Sequence, residues 1–154
     1  MPTNFKVTAF NINRCGYYRR SASAPEFGSL FEVLTDLVVW TQDKDMSETL
    51  TFTSDDEDTL PAYCFDIRTS PRNGDFLLTT WNEVPMVEGG VQTASGATRV
   101  GHVEVELAEV ANGNIPGFPS YFYFMSNENL VFSLRPEGQP HNGHRASLNF
   151  CMDL

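Results

Sequence analysis

The stretch 115–136, IPGFPSYFYFMSNENLVFSLRP, decides how the rest of this 154-residue chain is read. It reads as a turn followed by a β-hairpin. Gly113, Pro116 and Gly117 are loop chemistry. Pro119 fixes one φ and removes a backbone donor, so the strand is expected from about Ser120. Tyr121, Tyr123 and Met125 then point to one face, and Phe122 and Phe124 to the other. Ser126, Asn127, Glu128 and Asn129 make a polar turn. Leu130, Phe132 and Leu134 alternate with Val131, Ser133 and Arg135 on the way back. Apolar bulk on both sides of a strand calls for cover on both sides, which places this hairpin centrally in a sheet.

Upstream, residues 4–12 alternate. Phe5, Val7 and Ala9 fall on one side and Lys6, Thr8, Phe10 and Ile12 on the other, which predicts a first strand. Ser29 and Glu32 match a capping box. Leu30, Val33, Leu34, Leu37 and Val38 recur at helical spacing, so a helix is expected over 26–42. Residues 49–53 form a short β-rich segment. A second hairpin is expected from 62–68 and 75–84 around Asn73 and Gly74. Gly89, Gly90, Ser95 and Gly96 mark 85–98 as a long loop. His102, Glu104 and Glu106 then alternate with Val103, Val105 and Leu107, which predicts a strand with an acidic outer face.

These elements add up to one α+β domain over 1–136. It is an antiparallel sheet of about six or seven strands with one main helix packed on a face. The expected core is Leu30, Leu34, Leu37, Val38, Phe65, Ile67, Leu78, Val103, Val105, Phe122, Phe124 and Phe132. Residues 137–154 read as a loop and the start of a helix, either a short tail or a truncated second part.

The charge narrows the function classes. Twenty Asp and Glu against ten Lys and Arg give a net charge of −10. That excess disfavours nonspecific duplex binding by the whole surface, because phosphate affinity comes from basic side chains. It suits an acidic surface that engages a basic partner. Cys15, Cys64 and Cys151 are odd in number and lack metal spacing, which points to a reducing, cytoplasmic setting. No apolar run approaches the roughly 20 residues needed to cross a membrane, and the N-terminus lacks the form of a signal peptide.

No catalytic set stands out. His141 and His144 are three apart, yet Asn142 and Gly143 between them favour a loop, and zinc would need further ligands. No metal or cofactor is expected. There is no nucleophile–histidine signature. Cys15 lies near Arg14, Arg19 and Arg20, which would lower its pKa if they converged on it. Arg14, Tyr17, Tyr18, Arg19 and Arg20 form the basic, aromatic cluster of the chain, and that pairing suits phosphate contact with base stacking. The same arginines would equally pair with local carboxylates. Asp55, Asp56, Glu57 and Asp58 read as a solvated loop or as a docking site for a partner.

The hairpin also carries a likeness. Gly117-Phe118-Pro119-Ser120 followed by aromatics, a polar turn and Leu130 to Arg135 resembles the N-terminal region of RexA-like phage-exclusion proteins and related phage and bacterial proteins. The order of strand, Tyr/Arg turn and apolar helix upstream is similar. The resemblance implies an intracellular role in phage–host conflict, with dimerisation and DNA contact. No DNA-contact residue of that family maps onto a motif here, and the charge of −10 stands against such contact. The leading expectation is therefore a non-enzymatic interaction module that binds a protein partner or self-associates. The alternatives are nucleic-acid binding through the 14–20 segment, an acidic DNA mimic that blocks a nuclease or defence complex, and a hydrolase built on His102 or His144.

Overall fold

The computed structural model describes residues 4–20, 23–50, 61–84, 91–108, 110 and 113–137, and for 91–93 and 105–108 it describes the backbone alone. Its elements are β1 (Phe5–Asn11), α1 (Leu30–Thr41), a 3-10 turn (Met46–Thr49), β2 (Ala62–Thr69), β3 (Phe76–Glu83), β4 (Val91–Ser95), β5 (Val105–Ala108), β6 (Asn114–Met125) and β7 (Leu130–Pro136). All strand pairs are antiparallel. The main path is β1-β7-β6-β3-β2, with β4 joining the start of β6 and β5 pairing with β4. The α+β class expected from the sequence is the one observed.

β6 is the strand around which the sheet is arranged. Its residues 117–124 pair with β3, residues 121–125 with β7, and residues 114–116 with β4. It begins earlier than the sequence suggests, because Pro119 does not end it. Val84 N–H bonds to the Pro116 carbonyl. The alternation of an antiparallel ladder then aims the nitrogen of residue 119 away from β3. On that other side, β7 pairing has ended at Tyr121 and β4 pairing starts at Pro116. A residue without a donor interrupts nothing there.

Three further boundaries differ. The helix starts at Leu30 rather than near 26, because Ser29 and Glu32 form the capping box: Ser29 N–H donates to Glu32 Oε2 (2.7 Å) and Glu32 N–H donates to Ser29 Oγ (3.3 Å). Part of the expected 85–98 loop is strand β4, whose pairing with β6 overrides its small-residue composition. The expected strand over 100–107 is shortened to β5, since a turn at 98–101 with Gly101 at φ +83° occupies its start. Of the β-rich segment 49–53, Thr49 closes the 3-10 turn and residues 51–53 lie outside the described residues.

Two hydrophobic clusters occupy opposite faces of the sheet. The larger lies under α1: Leu30, Leu34 and Leu37 meet Cys64, Phe76, Leu78, Phe122, Phe124 and Val131. The register puts Leu78 opposite Phe122 and Phe76 opposite Phe124, so one stripe of alternate residues supplies this layer. The second cluster gathers Met46, Tyr63, Trp81, Ala94 and Val103. Trp81 is fully buried, stacks on Phe65 at 5.6 Å, and donates its indole N–H to the Ile115 carbonyl at 3.1 Å. Gly117 makes room for it: a Cβ there would lie 2.6 Å from Trp81 Nε1 and collide with the Asn82 carbonyl oxygen. Of the expected core, Val38, Phe65, Ile67 and Phe132 are half-buried, and the Val105 side chain lies outside the described residues.

Candidate functional site

The second cluster covers one end of its face. Toward β7 and β1 no cluster of described residues covers that same face. Its alternate residues are Leu77 on β3, Tyr121 and Tyr123 on β6, Leu130, Phe132 and Leu134 on β7, and Phe5, Val7 and Ala9 on β1. Phe5 and Val7 are 49% and 55% exposed, and the other named side chains on β6 and β7 are only half-buried. Phe5 meets the Tyr121 ring edge-on at 6.5 Å, and desolvation pushes the Tyr121 phenol pKa up. An antiparallel sheet with one face on a core ordinarily turns polar residues outward. Here the outward residues are largely apolar, and such patches mark association surfaces.

β1 borders this face as an edge strand with all seven residues exposed. Ile12 N–H donates to the Asn129 carbonyl and Glu137 N–H to the Asn4 carbonyl. Even-numbered residues therefore turn their backbone groups to β7, and Phe5, Val7, Ala9 and Asn11 turn theirs outward. No described strand pairs with that outer side. The strand carries none of the usual edge defences of proline or a bulge, and Lys6 is its one charge. An open edge of this kind accepts another strand.

The Tyr/Arg segment builds a second surface. Gly16, at φ +107°, lies so close to Gly28 that a Cβ would collide with its backbone. This clamp sets Tyr17 against Phe27: they form an isolated bridge, with N–H of Tyr17 donating to the Phe27 carbonyl at 2.8 Å, and their rings stack at 4.5 Å. Arg19 is drawn to Glu26 by two hydrogen bonds of 2.8 and 2.5 Å, which raises its own pKa further. Arg14 lies over the Tyr18 ring at 5.4 Å. The five residues expected to meet a nucleic acid are thus near one another, but two of the arginines are engaged within the chain. Beside them an open groove of about 430 Å³ runs from Tyr17 and Phe27 to Phe31, Glu32 and Asp36 on α1.

The remaining candidates stand apart. Burial pushes the Cys15 thiol up rather than down, because it packs against the main core cluster instead of facing arginines. His102 and Glu104 are exposed. Among the described residues no group of three or more His, Cys, Asp or Glu could hold a metal ion, and no helix is long and apolar enough to cross a membrane. Asp55, Asp56, Glu57, Asp58, His141, His144 and Cys151 lie outside the described residues. A half-buried polar cluster ties the hairpin tips together instead: Asp75 accepts from Tyr123 Oη at 2.7 Å and from Asn73, and Ser126 Oγ donates to the Gly74 carbonyl. The Asp75 bond holds the Tyr123 phenol pKa above its ordinary value.

No family model, curated protein or solved structure matches the chain. The open face and the β1 edge escaped the sequence reading. The alternation of Phe5, Val7 and Ala9 was visible, but which strand forms the edge depends on long-range pairing that no local pattern encodes.

Proposed function

We propose that this chain is a non-enzymatic interaction module whose partner is a second copy of itself, joined through β1. The observation that carries the reading is the open β1 edge lying beside an apolar sheet face. With a two-fold axis at Thr8, Phe5 would face Asn11 and Val7 would face Ala9 of the second copy. Those are the residues whose backbone groups point outward, so every one of them gains a ladder partner. The same operation keeps the two apolar faces on one side of a continuous sheet. The strand contributes no carboxylate, so the acidity of the rest of the chain is not concentrated at the joint.

The setting we infer is phage exclusion or antiphage defence. It rests on the likeness of the hairpin beginning at Gly117 to RexA-like proteins. The β1 reading does not depend on it.

Sedimentation equilibrium over a hundredfold range of concentration tests the association. The expected result is a monomer–dimer equilibrium that Val7→Glu abolishes while leaving the far-ultraviolet circular dichroism unchanged. A wild-type chain that remains a monomer throughout would overturn the reading.

A further inference from the structure

We infer that the groove between the Tyr17–Phe27 stack and the first two turns of α1 is a receptor for a cationic side chain, specifically the guanidinium of an arginine in a basic, extended peptide. This inference is independent of the β1 joint and stands on different residues.

The groove has a size suited to one long side chain and its flanking backbone, about 430 Å³. Tyr17, Phe27 and Phe31 are 55%, 61% and 44% exposed, an unusual concentration of bare aromatic surface in one place. Glu32 and Asp36 follow one another at a spacing of four on α1 and line the same groove, whose walls include no Lys or Arg. Aromatic faces attract cations through their quadrupole, and a planar guanidinium both stacks on rings and donates its N–H groups side-on to a carboxylate.

Two observations decide the sign of the ligand. A helix N-terminus carries about half a positive charge and would by itself favour an anion. Here Ser29 and Glu32 already satisfy each other across that terminus, and the Glu32 carboxyl is held below its ordinary pKa by the Ser29 N–H and then by the Ser29 side chain. Glu32 therefore remains ionised, and with Asp36 it outweighs the dipole. The chain also seats its own cations on rings close by in sequence: Arg14 over Tyr18 at 5.4 Å and Lys44 over Trp40 at 4.9 Å. The Tyr17–Phe27 stack has no such cation among the described residues. Arg19, two residues from Tyr17 in sequence, is held by Glu26.

The probe is a short arginine–glycine peptide blocked at both ends, with a citrulline–glycine peptide as a neutral isostere. Binding is followed by amide and aromatic NMR shifts on the full chain. The expected result is saturable shifts at Tyr17, Phe27, Phe31 and Asp36 with the arginine peptide, weakened by added salt, and none with citrulline. Asp36→Asn and Tyr17→Ala are each expected to weaken binding about threefold to tenfold. Both side chains are exposed, and circular dichroism verifies that each variant folds. Equal binding of the citrulline peptide, shifts scattered over the acidic surface, or no saturable shift at millimolar peptide would each overturn the inference.

Discussion

The two faces of the same sheet are built from the same kinds of residue and meet opposite fates. On one face Phe76, Leu78, Phe122 and Phe124 are buried under α1. On the other, Leu77, Tyr121, Tyr123 and Phe132 occupy the intervening positions of the same strands and remain partly exposed. Periodicity separates the faces but does not say what covers each. A strand with apolar bulk on both sides, such as β6, demands two covers. The described residues cover the first over β3, β6 and Val131 of β7, and the other only at the Trp81 end, while β1 is exposed along its whole length. The difference teaches that alternation sets which face a residue takes, while its burial depends on which distant elements pack over that face.

The largest way to break this comparison is a charge placed on each face in turn. Phe122→Asp buries an unpaired carboxylate beneath α1 and is expected to cost about 4 kcal/mol or more, enough to unfold the domain in a denaturant titration. Tyr121→Asp, one residue away on the open face, should leave the denaturation midpoint within about 1 kcal/mol of wild type. If Tyr121→Asp unfolds the chain as Phe122→Asp does, the two faces are not distinct.

A second break targets the covered end of the open face. Gly117→Ala drives a Cβ against the Asn82 carbonyl and the Trp81 indole, and overpacking of this sort costs about 2 kcal/mol. Against a Trp40→Phe background, which leaves Trp81 as the sole indole, its emission should shift to the red. An unchanged spectrum and midpoint would mean that the Trp81 cluster does not close that end.

Smaller effects sharpen the helix side. Ser29→Ala removes the cap of α1 and should cost about 1 kcal/mol in thermal melts. Glu32 adds a pH signature. Its folded pKa lies below the unfolded value, so its contribution is complete above the ordinary glutamate range of about 4.3 and is lost as pH falls through the lower folded value. Glu32→Gln should therefore lower stability mainly at neutral pH, where that contribution is complete, and converge with wild type in acid, which flattens the acid limb of the profile.

Much of the helix face was legible from the chain alone. The Ser29–Glu32 cap, the Leu30, Leu34 and Leu37 stripe and the Phe122–Phe124 alternation are local patterns, and they give local structure. The anchoring role of Trp81 is not legible in the chain, because its cover comes from Met46, Ala94 and Val103, which are distant in sequence. β4 was hidden because its small residues acquire strand geometry only from pairing with β6. The Tyr17, Tyr18 and arginine segment was singled out by composition. Its use of Phe27 and α1 depends on the Gly16–Gly28 approach, which only the folded backbone reveals.

Amide hydrogen exchange along β1, measured at low and high protein concentration, tests the β1 joint most directly. Lys6, Thr8 and Phe10 face β7 and should be protected at both concentrations. Phe5, Val7, Ala9 and Asn11 face outward and should exchange fast when dilute and become protected when concentrated. Fast exchange of those four amides at every concentration, with the even-numbered ones protected, would contradict the account.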